Sequence, residues 1–265
     1  MVFLDTKSCT DFLASIPDDH AQCVISDKDF SEAYRILRPG GVCLTFSSTK
    51  TLSDTFRCLE EAGLVIRDVI AWVNPSVPAS SFGMSHLIAR SQDLVGLEKD
   101  AAVRDLAGLR TMRLRTCYTP IVLAQRPTTK TLVVNQINNG CGLMNPTRLA
   151  SGELSANCVT TDFTESEYDQ AFLLRSAPHS RLIDTEPDPM YRILYHLLET
   201  FTHPSSVIVE PEAGNGGTMC AAISLNRSYM GSEANPEKRA AALERAKRCE
   251  AAQKSAPPKN FRFSI

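Results

Sequence analysis

The chain lacks several of the features that would place it quickly. Its nine cysteines include no C-x-x-C pair, and no Cys/His cluster has zinc-ligand spacing; the five histidines are scattered. This argues against a structural zinc module, so no metal site is expected and the cysteines read as reduced, mostly buried small hydrophobes. No run approaches the roughly 18–20 apolar residues of a membrane span. The opening Met1–Asp5 turns polar too soon for a secretory signal. A soluble, intracellular protein with no membrane partner is the expectation. Basic charge is not in excess either: the formal net charge is −2, so any polyanion would have to be held by a local patch. No internal repeat is visible. What remains is an ordinary globular composition, 43% apolar and 22% charged, in 265 residues. That length buries one large core, or one core with a small insertion.

Strand-like and helix-like segments alternate, as in an α/β sheet covered by helices. Helical spacing is read at Thr10–Ile16, Phe30–Leu37, Thr51–Ala62, Pro189–Phe201, Thr218–Leu225 and Glu237–Ala251. Strands are read at Gln22–Ser26, Val42–Ser47, Leu64–Val73, Tyr118–Ala124, Ser206–Glu210 and Tyr229–Glu233. Pro39-Gly40-Gly41 reads as a turn. The pattern weakens between residues 76 and 111. Residues 128–180 carry no sustained period and read as an insertion. From Ala252 onward an extended tail is expected.

The most informative stretch is Val207–Thr218, where an apolar strand enters the glycine-rich Glu210-Pro211-Glu212-Ala213-Gly214-Asn215-Gly216-Gly217 and a helix follows. Glycines let backbone approach a ligand closely, and a helix N-terminus adds donors. A second strand ends in Glu233, 23 residues beyond Glu210, where an acid can accept hydrogen bonds from ribose hydroxyls. The same residues would also serve a tight turn and a strand cap. The dinucleotide fingerprint needs a third glycine where Met219 stands. Glu210 suits a cationic ligand, since a sulfonium and an α-ammonium attract a carboxylate that would repel a pyrophosphate. S-adenosylmethionine and methyl transfer are therefore preferred over a dinucleotide and hydride transfer.

These residues resemble the β-class DNA amino-methyltransferases, whose glycine motif is similar to D-P-F-A-G-S-G-T-T. Arg227–Glu237 resembles the family's G-R-x-(F/Y)-I-G-I-E-x-x-P-E, and Tyr34–Gly41 its R-V-L-(K/R)-P-G-G. Ile66–Trp72, Leu114–Pro127 and Gly152–Val159 are further similar pieces, in the family's permuted order. The resemblance implies a Rossmann-like S-adenosylmethionine-dependent methyltransferase fold, with a mostly parallel sheet and helices on both faces. Residues 1–127 would form the catalytic half, 128–180 a small target-recognition insertion, 181–251 the cofactor half and 252–265 the tail. Glu210, Pro211, Ala213, Gly214, Gly216, Glu233 and Asn235 would bind cofactor.

The family's catalytic D-P-P-Y or S-P-P-Y falls on Asp27-Lys28-Asp29-Phe30. Asp27 would accept the hydrogens of an exocyclic base amine and Phe30 would stack on the base; capping of the next helix and core packing are their plainer uses. An Asp at this place resembles the adenine-N6 enzymes. Both prolines are replaced, and the stretch to Arg35 is short, as if a loop were truncated or missing after Asp27. Glu212 stands for the motif's Phe, Asp188-Pro189 for a Lys-Pro, and Ser8 for an Asp. Residues 87–130 hold eight Lys/Arg against four Asp/Glu. Arg110, Arg113 and Arg115 are thus candidate phosphate contacts, or a solvated face. DNA is the expected partner, with RNA the alternative polymer. Two functions compete: an adenine-N6 DNA methyltransferase, and a degenerate subunit that binds nucleic acid or a protein in a larger assembly. A homodimer is compatible with either.

Overall fold

A computed structural model describes residues 1–73, 84–93, 95–106, 109–111, 118–145, 157–160, 174–175 and 188–255. Along the chain they form β1 (Val2–Asp5), α1 (Cys9–Ala14), β2 (Ala21–Ile25), α2 (Phe30–Ile36), β3 (Leu37–Phe46), α3 (Leu52–Glu61) and β4 (Val65–Val73). Then come α4 (Met84–Arg90), α5 (Leu97–Asp105), β5 (Tyr118–Gln125), α6 (Leu132–Asn139), β6 (Cys158–Thr160) and β7 (Leu174–Arg175). The last part is α7 (Pro189–Phe201), β8 (Val207–Glu210), α8 (Gly217–Ser224), β9 (Ser228–Ser232) and α9 (Pro236–Ser255). The chain divides into two compact units, residues 1–73 with 119–265, and residues 74–118. The second contains α4 and α5, which are short and were not legible as helices in the sequence.

The nine described strands belong to one sheet, ordered β1-β9-β8-β2-β3-β5-β4-β6-β7. β1, β9, β8, β2 and β3 pair in parallel, and β5 runs antiparallel to β3. The fold is thus a mostly parallel, Rossmann-like sheet, as the resemblance implied. Val207–Glu210 and Ser228–Ser232 are adjacent parallel strands, as the glycine-loop reading requires.

Period-2 alternation decides which face each strand residue covers. Cys23, Ile25, Leu44, Ile121 and Ile208 join one core with residues of α7, α8 and α9. Their neighbours Val24, Cys43, Val122 and Val209 join a second core with α1, α2 and α3. Strands buried on both faces read as unbroken apolar runs, which is why β2, β3 and β8 were legible. Each fully buried Leu, Ile or Phe in these layers contributes about 1.5–3 kcal/mol. Helix α8 is buried along its whole length, and Gly217, Ala221, Ala222 and Ser224 keep it slim enough to lie between its neighbours.

Three expectations change. Pro39-Gly40-Gly41 is no turn between elements: β3 runs through it as a bulge, and β2 pairing jumps from Ala21↔Leu37 to Cys23↔Val42. Gly40 sits at φ +85°, where a Cβ would come within 2.3 Å of Asn135 Nδ2. That amide donates to Pro39 O at 2.8 Å and Cys141 O at 2.9 Å, which anchors α6 to the bulge. α9 continues through Ser255, past the expected start of the tail; residues 256–265 lie outside the described part. The opening segment is a strand, and its place on the sheet edge beside β9 was not foreseen. Among the described residues no helix is long and apolar enough to cross a membrane, and no cluster of His, Cys, Asp or Glu could hold a metal.

Candidate active site

β2 and β8 are adjacent and parallel, with Cys23 opposite Ile208 and Val24 opposite Val209. From β2 the chain proceeds to β3 on one side; from β8 it proceeds to β9 on the other. Such a switch point opens a crevice at the carboxyl ends of the strands. A cleft of about 310 Å³ lies there, lined by Asp27 after β2, by Glu210–Asn215 after β8, and by Phe46, Met190 and Leu194. Its size falls at the lower end of the range for small-molecule sites.

The floor beneath the glycine loop is built around Glu210. Its Oε1 accepts from Thr218 Oγ1 at 2.6 Å and its Oε2 from Tyr229 Oη at 2.6 Å. Glu210 and Gly231 face each other across the β8–β9 pair, and Tyr229 is two residues earlier on the same face. A Cβ on Gly231 would meet Tyr229 Oη at 2.3 Å, so only glycine lets the phenol cross to the carboxylate. Burial, opposed by the Thr218 and Tyr229 hydrogen bonds, pushes the Glu210 pKa up to about 7.

The loop is tied down at its far side by Glu233. One carboxylate oxygen accepts from Gly214 N at 2.9 Å and the other from Asn235 N at 2.9 Å. Gly214 takes φ +52°, and the space its missing Cβ would occupy is empty to 4 Å. Together with its place on the cleft wall, this leaves a cradle for a closely approaching ligand. Gly216 has a different reason to be glycine: at φ +77° its Cβ would press to 3.0 Å on Ala242 Cβ of α9. Asn235 caps α9, its Oδ1 accepting from Glu237 N at 2.9 Å and Lys238 N at 3.1 Å.

The structure therefore gathers Asp27, Glu210, Pro211, Ala213 and Gly214 on the cleft wall. Glu233, Gly216 and Asn235 stand behind the loop and shape it. Phe30 goes elsewhere: it is a core residue among Phe12, Leu13 and Ala33 on the α1–α2 side, so it offers no ring to the cleft. Arg110 is exposed in the unit of residues 74–118; Arg113 and Arg115 lie outside the described residues.

Sequence reasoning missed the aromatic that does line the cleft. Phe46 closes β3 at its carboxyl end and packs edge-on against Trp72, with centroids 6.3 Å apart. Its position at a strand end, level with Asp27, was the available signal. Also missed was the meeting of two departures from the family pattern. Lys28 Nζ pairs with Glu212 Oε1 at 2.5 Å. Other departures are absorbed locally. Asp188 caps α7 through Tyr191 N at 2.6 Å and pairs with Arg245 at 3.1 Å. Ser8 caps α1 through Asp11 N at 3.3 Å. The stretch after Asp27 is short: Ser26 Oγ donates to Lys28 O at 2.9 Å and accepts from Lys28 N at 3.2 Å, which closes a turn into α2.

No protein-family model matches the chain. The Type II methyltransferase M.HindIII of Haemophilus influenzae is 23% identical over 207 residues, 77% of this chain and 62% of that protein. The chain thus spans less than two thirds of that relative's length. Among solved structures, the M1.HpyAVI–SAM complex aligns with a TM-score of 0.56 at 15% identity, over 92% of this chain and 98% of the other. The cytosine-N4-specific PvuII DNA methyltransferase aligns with a TM-score of 0.57 at 13% identity, over 96% and 91%. Identities this low in the structural alignments speak for the fold, and M.HindIII adds the sequence relationship. By sequence the chain is similar to a Type II DNA methyltransferase, and its fold is that of DNA methyltransferases of known structure.

Proposed function

We propose that the protein is an S-adenosylmethionine-dependent DNA methyltransferase acting on the exocyclic N6 amine of adenine. The observation that carries this reading is the convergence of Asp27 and the Glu210–Asn215 loop on one cleft, one from each of two adjacent parallel strands. The similar DNA methyltransferases supply the reaction class, and the Asp at position 27 the preference for adenine. The residues present fit the cofactor: Gly214 leaves room for close backbone approach, and Glu212 brings an exposed carboxylate to the cleft wall for a cationic group. When bound, the cofactor supplies an electrophilic methyl on a sulfonium.

This chain's residues would do the rest by aiming. An exocyclic amine is a poor nucleophile because its lone pair is delocalised into the ring. The Asp27 carboxylate accepts one N–H of that amine and the Lys28 carbonyl, oriented by Ser26, accepts the other. The nitrogen lone pair is then turned out of conjugation. Phe46 gives the flat base an aromatic wall. A base must leave its duplex to reach such a cleft. Arg110, Arg113 and Arg115 remain the proposed phosphate contacts, and residues 128–180 the proposed target-reading region.

The test is transfer of a tritiated methyl group to unmethylated genomic DNA, followed by separation of the nucleosides. Label in N6-methyladenine is expected. Label in N4-methylcytosine would keep the reaction and correct the base. Background counts from protein that binds S-adenosylhomocysteine would move the protein to the class of subunits without turnover.

A further inference from the structure

The cleft has a charge problem. Asp27, Glu210 and Glu212 line it, and among the described lining residues none is cationic. An α-ammonium would be welcome there, but an α-carboxylate beside it would be repelled. Among the described residues, Lys28, next in sequence to Asp27, brings a basic side chain to this wall by pairing with Glu212 at 2.5 Å. Each partner's side chain is 53% exposed, so the pair stands at the surface and can open without leaving a buried charge. The hydrogen bond with Glu212, and then its charge, raise the Lys28 pKa, so the ammonium stays charged. The pair joins the turn after β2 to the loop after β8. It also consists of the two positions where the family resemblance has Pro and Phe, so both departures bring charges of opposite sign to one place.

Resting on the cofactor reading above, we infer that Lys28 and Glu212 form an exchange site for a zwitterion, Lys28 taking the α-carboxylate and Glu212 the α-ammonium of the cofactor's amino-acid end. The free protein's ion pair stands in for the ligand's two charges. Partner exchange then creates two ion pairs from one internal pair and one ligand zwitterion, with no change in net charge. An uncharged lining of Pro and Phe could hold the amino-acid end only by packing and backbone contacts. This site holds it by charge.

Calorimetry on the whole chain with three thioethers tests the inference. These are S-adenosylhomocysteine, its decarboxylated analogue (ammonium only), and 5′-methylthioadenosine (neither charge). Lys28→Ala is expected to weaken S-adenosylhomocysteine by about five- to tenfold, the scale of a charged hydrogen bond at a half-exposed site, while sparing the other two. Glu212→Gln is expected to weaken both ammonium-bearing ligands and spare methylthioadenosine. Rising salt should shrink the wild-type preference for S-adenosylhomocysteine over methylthioadenosine. Equal changes for all three ligands in either variant would overturn the inference, because the pair would then act only on loop shape. Tighter S-adenosylhomocysteine binding by Lys28→Ala would also overturn it, because the pair would be a block. Wild-type protein that binds none of the three would overturn the cofactor reading and this inference together.

Discussion

The two walls of the cleft are built to different standards. Behind the glycine loop, a carboxylate is sealed under Tyr229 and Thr218, Gly231 admits the phenol, and Gly216 admits α9. Across the cleft, the turn after β2 is held by the Ser26 hydroxyl, by the Cys9 thiol on Asp29 Oδ2 at 3.5 Å and by an exposed ion pair. Asp29 sits at φ +51° at the start of α2, with no side-chain cap bond to repay that conformation. The first wall has little freedom left. The second keeps its proposed acceptor, Asp27, in solvent on a short turn. A binding wall that is over-determined and a target wall that is lightly held fit a site where one ligand is small and constant and the other is a flipped base on a polymer.

That contrast breaks most visibly at Gly231. Gly231→Ala places a Cβ 2.3 Å from Tyr229 Oη and 2.6 Å from Cζ, so the ring must leave its place over the strand. We expect a loss of about 3 kcal/mol, overpacking plus the lost bond to Glu210, measured by urea unfolding. The pH dependence comes next. Glu210 is raised to about 7 from an ordinary 4.5, mainly by burial. The stability that its neutral form contributes is complete below 4.5 and is lost as pH rises through about 7, a fall of about 3 kcal/mol at most. Glu210→Gln should flatten the stability curve between pH 5 and 8. Tyr229→Phe removes a donor to the buried carboxylate and should cost about 1–3 kcal/mol, more at pH 8 than at pH 5, because the ionised form loses most. On the opposite wall, Lys28→Ala should move the unfolding free energy by no more than about 0.5 kcal/mol. If Lys28→Ala cost as much as Tyr229→Phe, the contrast between the walls would be wrong.

How much of this was legible in the sequence follows from the kind of signal each part leaves. α7 was read at its observed bounds, Pro189–Phe201, because an Asp cap, a Pro at the first position and a strong apolar face coincide there. β8, α8 and β9 were read because apolar runs flank glycines. α4 and α5 were missed: α5 buries no residue, so it has no apolar stripe to see. α6 was missed because its pattern is inverted. Asn135 is its buried residue, while Leu132, Val133 and Ile137 are exposed. At the site, position along the chain placed Asp27 and the glycine loop together, since strand ends on one sheet edge meet. It misplaced Phe30, because the first residue of a helix can point either to the cleft or to the core, and Phe12 and Leu13 of α1 draw it to the core. The Lys28–Glu212 pair was beyond sequence reading. Its members lie 184 residues apart, and only the β2–β8 pairing brings them together.

The central claim is that Asp27 serves the target amine and the Glu210–Asn215 loop the cofactor, and Asp27→Ala tests it most directly. S-adenosylhomocysteine affinity by calorimetry and tritiated-methyl transfer to DNA should be measured on the wild type and on this variant, side by side. We predict that transfer falls to background while the affinity stays within about threefold, because Asp27 serves the amine and the Glu210–Asn215 loop serves the cofactor. Transfer that survives the substitution, or affinity and transfer that collapse together, would contradict the account.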